Sequence, residues 1–228
     1  MPIDLATNAA ALLVKICPAY GINSSDILHE FLANVLHESA GFTISSENLN
    51  YQAPALVINF IKNRPKGSIE RITVDDCYKY GRTLKQKANQ PEIAKRIYGG
   101  QWGLINLGNR IPGKNATEEE KKAINSDGWN FRGAGAIQIT GYGNGKLFAD
   151  YYNKMMKTNH SVMEIYQLIR TNLEVSIHAA CWLFAVAKKL IDEALHNDMR
   201  GIVKKINGGF IGLDKRMAIL ALCIKYIP

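Results

Sequence analysis

The chain has 228 residues, 47% of them apolar and 21% charged, which suits one globular domain or two lobes sharing a core and excludes an intrinsically disordered chain. The 28 Lys and Arg against 20 Asp and Glu leave a formal net charge of +8, which draws such a protein towards polyanions: nucleic acid, anionic lipid or an acidic wall. The cations are scattered, in KNRPK at Lys62 to Lys66 and in pairs such as Lys121 and Lys122, so no nucleic-acid partner is expected.

In chain order, the first element is a helix over residues 4–17, stopped before Pro18. Its sequence, MPIDLATNAAALLVKIC, lacks an early basic region, places Asp4 ahead of the apolar run and interrupts that run at Lys15. It does not read as an export signal, and no stretch approaches the roughly 20 apolar residues that span a bilayer. A second helix is predicted over 24–39, from the stripe Ile27, Leu28, Phe31, Leu32, Val35 and Leu36 stepping by three and four, with Asn23, Ser24 and Ser25 as cap candidates. Residues 40–50 read as a loop or short irregular strand pair. Helices follow over 53–61, 73–87 and 91–98. Residues 99–128 read as irregular, and AIQIT, over 136–140, has the alternation and β-branching of a short strand. Five glycines between Gly133 and Gly145 permit tight turns or close backbone approach. The remainder is helical over 146–156, 162–170, 173–188 and 191–196, then in a short piece before Ile206 and over 214–226. The pattern describes one mainly α domain, of α+β type, with a small β-containing lobe spanning residues 1–228.

Cys17, Cys77, Cys181 and Cys223 fit neither CxxC nor Cys/His ligand spacing, so no zinc site is expected. Cys181 and Cys223 lie in apolar helical patterns, where buried free thiols are the rule; a chain made in a reducing cytoplasm follows.

Glu38 ends an apolar helix, where a negative charge is unfavourable and proton affinity rises. Glu47 lies nine residues on, in the polar segment SSENLNY. Two carboxyls on separate elements are what glycoside hydrolysis needs, one to protonate the leaving oxygen and one to assist water or attack the sugar. Rival constellations are poorer. His29-Glu30 and His37-Glu38 repeat eight apart rather than as HExxH, there is no GxSxG, and RGAGAIQITGYGNG matches no phosphate-binding fingerprint.

Four blocks, FLANVLHESAGFTISSENLNY, QPEIAKRIYGG, DGWNFRGAGAIQITGYGN and INGGFIGLDKR, together resemble glycoside hydrolase family 19, the family of plant-type chitinases and of phage or bacterial endolysins. They fit in order and approximate spacing from Phe31 to Arg216. The resemblance implies a lysozyme-like, two-lobed, mainly α fold and an inverting mechanism without metal or cofactor. It places Glu38 as general acid and Glu47 as general base. Gln138, Thr140, Asn144, Asn207 and Arg216 would line the substrate groove, Tyr51 would pack, and Trp129 would be a core aromatic in preference to a sugar-stacking one. Departures from the family pattern are Ala40-Gly41 in place of two glycines, Ala134 within the RGRG position, and Gln52-Ala53 where a hydroxyl residue often follows the tyrosine.

The reading that follows is an endolysin-type glycosidase acting on the β-1,4 bonds of bacterial peptidoglycan. A chitinase is the alternative among enzymes and a non-catalytic glycan-binding relative the alternative from another class. The basic surface suits electrostatic contact with an anionic cell wall or membrane surface. A monomer is expected, made in the bacterial cytoplasm without a signal peptide and reaching the wall by another route, in phage lysis or as a toxin delivered between bacteria.

Overall fold

The computed structural model describes residues 3–227, and among these the chain is mainly helical: α1 (Ile3–Ile16), α2 (Ser25–Glu38), α3 (Ala53–Val57), α4 (Val74–Tyr80), α5 (Gln90–Tyr98), α6 (Gly100–Leu107), α7 (Glu118–Asn125), α8 (Asp127–Asn130), α9 (Tyr142–Met156), α10 (Val162–Thr171), α11 (Leu173–Cys181), α12 (Ile191–Leu195), α13 (Met199–Asn207) and α14 (Leu213–Tyr226). The backbone sorts into two compact units. One takes in the chain up to Ser45, the short return Ala134–Ile139 and everything from Gln167 onwards; the other takes in Ser46–Gly133 and Thr140–Tyr166.

The first unit is organised on α2. The Ser24 hydroxyl accepts from the Ile27 N–H, which picks one cap from the three serine and asparagine candidates. The helix then buries Ile27, Phe31, Ala33 and Val35 and packs against α12 and α14. Phe31 meets Phe184 edge-on at 5.4 Å, and Ala33, Met199, Val203 and Leu220 close a cluster joining α2, α13 and α14. A buried Phe of this kind costs about 3–5 kcal/mol when cut back to Ala. The core of the second unit is Leu49, Leu56, Ile72, Cys77, Ile93, Ala94 and Ile97, with Tyr51 and Trp129 packed against it. Both aromatics are packing residues there, and Arg132 stacks on the Trp129 ring at 3.6 Å.

Several expectations are corrected. Among the described residues no strand forms, only isolated bridges at Gln52–Arg82 and Ala134–Ile139, so the β-containing lobe is absent. AIQIT is a tight turn: left-handed backbone at Gly135 (φ +74°) and Gln138 (φ +53°) reverses the chain, and Ala134 and Ile139 exchange both backbone hydrogen bonds. The apolar alternation there reflects Ala136, Ile137 and Ile139 all turning inwards, not a pleat. Residues 99–128 hold α6, α7 and the start of α8 where irregular chain is predicted. The EEEKK patch is a helix because Thr117 and Glu120 form a reciprocal capping box and the acidic residues sit at its positive end. The helix predicted over 73–87 stops at Tyr80, since Gly81 lies so close to the Ala53 backbone that no side chain fits. α9 starts at Tyr142, four residues early, because Gly145 lets Tyr166 pack directly on the helix.

The expectation that no stretch is apolar enough to span a bilayer also falls. Ile3–Tyr20, α1 plus a short 3-10 turn, is 18 helical residues of mean hydropathy 1.2, long and apolar enough by length and composition alone, and only 22% of it is buried. Asp4 and Lys15 are its charged residues, and the polar Thr7 and Asn8 stand between them. All four cysteines are buried free thiols.

Candidate active site

Glu38 is the last residue of α2, and the chain turns sharply behind it: Ser39 is wholly buried, its hydroxyl donates to the Val35 carbonyl and accepts from the Phe42 N–H. Ala40, Gly41 and Phe42 then run through left-handed backbone (φ +47°, +70° and +61°). At Ala40 this is the conformation that favours glycine, which gives a structural sense to the two glycines of the resemblance.

The Glu38 carboxylate forms an ion pair with Arg216 from α14, whose side chain is 1% exposed. Burial raises the proton affinity of Glu38, and Arg216 opposes that rise without cancelling it. Arg216 is fixed from behind by its Nη1, which donates to the Ile211 carbonyl at 3.0 Å. The same carbonyl takes the Asn207 amide at 3.4 Å, so these two expected groove residues converge on one backbone oxygen. Gly212 makes this possible. Its φ is +76°, and a Cβ there would lie 2.6 Å from His37 Nε2 and 2.8 Å from Arg216 Nη1. Burial, then Arg216 and Lys215, hold the His37 ring below its ordinary pKa, which favours its neutral form. Gln138, in the same unit, spends its amide within its own turn, donating to the Gly135 carbonyl at 2.8 Å.

In the second unit Glu47 is held by three residues. Tyr98, the last residue of α5, donates its hydroxyl to Oε1 at 2.6 Å, and the Gly133 N–H donates to Oε2 at 3.1 Å. The Glu47 N–H returns a bond to the Gly133 carbonyl at 2.9 Å, and Arg132 Nε donates to the Glu47 carbonyl at 3.3 Å. Burial, and then the Glu47 charge, push the Tyr98 phenol far above its usual pKa, so it stays protonated as a donor. Thr140 and Asn144 meet at the start of α9, where the Asn144 amide donates to the Thr140 carbonyl at 2.9 Å.

No family model matches the chain. Over 187 residues, 82% of this chain and 72% of the other, it is 32% identical to a protein of Haemophilus influenzae named as a glycosyl hydrolase family 19 domain-containing protein. The chain belongs to glycoside hydrolase family 19. Within that frame, sequence reading passes over Tyr98, Gly133 and Gly212. Tyr98 sits in the QPEIAKRIYGG block, but nothing local shows that its hydroxyl reaches a carboxylate 51 positions away. Gly212 carries a signal in retrospect, since a glycine one turn ahead of the arginine is where backbone must pass close to a bulky side chain.

Proposed function

We propose that this glycoside hydrolase is an endolysin-type enzyme that cuts the β-1,4 bond between amino sugars of bacterial peptidoglycan, with Glu38 as general acid and Glu47 as general base. Glu38 gives its proton to the glycosidic oxygen as the bond to the anomeric carbon breaks. Glu47 takes a proton from a water that attacks that carbon from the opposite face, inverting it. Gln138, Thr140, Asn144 and Asn207 are the residues offered to the sugar chain, while Arg216, expected among them, is buried against Glu38 and positions the acid instead.

The observation that carries this reading is the contrast between the two motif carboxyls. Glu38 is desolvated at a helix end, which raises its proton affinity even beside Arg216. Glu47 has each oxygen aimed by a separate fixed donor. Two carboxyls in different environments are the arrangement an acid and a base require. Arg216 orients Glu38 and stands ready to stabilise the carboxylate left after proton transfer.

Peptidoglycan is preferred to chitin because a net charge of +8 suits an acidic wall. Loss of turbidity in a suspension of purified peptidoglycan, run beside colloidal chitin, tests the assignment. Clearing of peptidoglycan with slower attack on chitin is expected. Attack on chitin alone would make the enzyme a chitinase, and activity on neither would favour a glycan-binding relative.

A further inference from the structure

Two of the four cysteines meet in the first unit. Cys17 opens the 3-10 turn after α1, Cys181 closes α11, and although 164 positions apart their Sγ atoms lie 3.9 Å from one another. Both are buried. Polar rungs flank the contact. Lys15 Nζ reaches Glu174 Oε1 at 2.7 Å, and Tyr20 Oη reaches His178 Nδ1 at 3.0 Å. These rungs fix how the end of α1 lies along α11, so the thiols are held face to face. The helix they anchor is otherwise thinly attached, with 22% of Ile3–Tyr20 buried.

We propose that Cys17 and Cys181 are a disulfide-forming pair, reduced in the reducing surroundings of synthesis and joined when the chain meets a disulfide oxidant, so that the end of α1 is clamped covalently to α11. Cys17 is the entry point. It lines a groove of about 450 Å³ with Ala10, Leu13, Pro18 and Leu28, whereas Cys181 is fully enclosed. The hydrogen bond with Cys181 lowers the Cys17 pKa, which favours the nucleophilic thiolate. The Cys17 thiolate attacks one sulfur of the oxidant and expels the other as a thiolate, leaving a mixed disulfide. Cys181 then loses its proton and attacks the Cys17 sulfur, expelling the second oxidant thiolate. Two protein thiols are oxidised to one disulfide and one oxidant disulfide is reduced to two thiols. Closing the Sγ atoms from 3.9 Å to a bond of about 2.05 Å asks for side-chain rotation and a small shift of the chain after α1.

The test uses the full chain, purified reduced and exposed under native conditions to 2-hydroxyethyl disulfide. Free thiols are then alkylated, and the digest is read by mass spectrometry. The expected result is a cross-linked peptide joining Cys17 to Cys181 with two hydrogens lost, Cys77 and Cys223 remaining alkylatable. The melting temperature should rise by roughly 10 °C, as closing a loop of this length implies, and fall back with dithiothreitol. Cys17→Ser should abolish the cross-link and the rise, while Cys77→Ser should keep both. Four alkylated thiols after exposure, a stable mixed disulfide on Cys17, or a cross-link through Cys77 or Cys223 would overturn the assignment.

Discussion

Glu30 lies two turns before Glu38 on α2, is 0% exposed, and neither of its carboxyl oxygens has a hydrogen-bond partner among the described residues. Burial, and then the negative charge of Asp198, push its pKa from 4.5 up to about 7. Asp198 cannot move away, because its carboxylate accepts from the Gly201 N–H at 2.9 Å as the cap of α13. The folded chain therefore holds a proton that the unfolded chain releases at lower pH. With the folded pKa above the unfolded one, the folded state is fully favoured below about pH 4.5 and loses stability as pH rises towards 7, after which the loss is constant. A rise from 4.5 to about 7 corresponds to roughly 3 kcal/mol at 1.36 kcal/mol per unit. Glu30→Gln removes the titration while keeping shape and polarity. Urea unfolding followed by circular dichroism at a series of pH values from 4 to 8 should show the variant gaining on the parent by about 3 kcal/mol across that range, with most of the gain between pH 4.5 and 7. Asp198→Asn should narrow the window from its upper end. Parallel pH dependences for Glu30→Gln and the parent would refute the reasoning.

Glu38→Gln and Glu47→Gln should each lower turnover on the order of 10²–10⁴-fold without loss of fold, since an amide oxygen can still accept from Arg216 or from Tyr98. Near-parental turnover in either folded variant would remove its assigned role. Gly212→Ala forces a Cβ against His37 and Arg216 at a left-handed backbone position. It should cost about 1–3 kcal/mol in thermal unfolding and lower turnover as Arg216 is displaced from Glu38. Raising salt should weaken binding to intact walls, because attraction by the net charge of +8 is screened beyond about 10 Å at 0.1 M, while hydrolysis of a short neutral amino-sugar oligomer changes little. Flat wall binding over the salt series would dismiss the electrostatic account.

Periodicity made α2 legible from its apolar stripe alone, because one helix face must be buried whatever it packs against. The same logic found α5, α10 and α14. It failed where composition and context disagree. AIQIT has the residues of a strand, yet left-handed backbone at Gly135, just ahead of it, and at Gln138, inside it, reverses the chain, and neither the glutamine conformation nor the inward facing of three apolar neighbours leaves a local mark. The EEEKK patch looked like solvated loop because hydrophobic content was the cue, whereas capping and helix-end charge make α7. Of the two uses open to Gly143 and Gly145, tight turns or close approach, the structure shows the second: inside α9 they let Leu107 and Tyr166 approach the helix. At the candidate site, the carboxyls Glu38 and Glu47 were visible in motif blocks. Their partners were less so: Arg216 appeared as a groove residue although it pairs with Glu38 across 178 positions, and Tyr98 had no assigned role. Such long-range pairings depend on tertiary packing, which single-chain patterning does not encode.

The most direct test of the acid/base assignment is the anomeric configuration of the first reducing ends released from purified peptidoglycan, followed by proton nuclear magnetic resonance during early turnover. Attack of Glu47-activated water on a β-1,4 bond protonated by Glu38 predicts that the α-anomer appears first and equilibrates later, with no such signal from Glu38→Gln. Initial appearance of the β-anomer, or release of reducing ends by Glu38→Gln at the parental rate, would contradict the account.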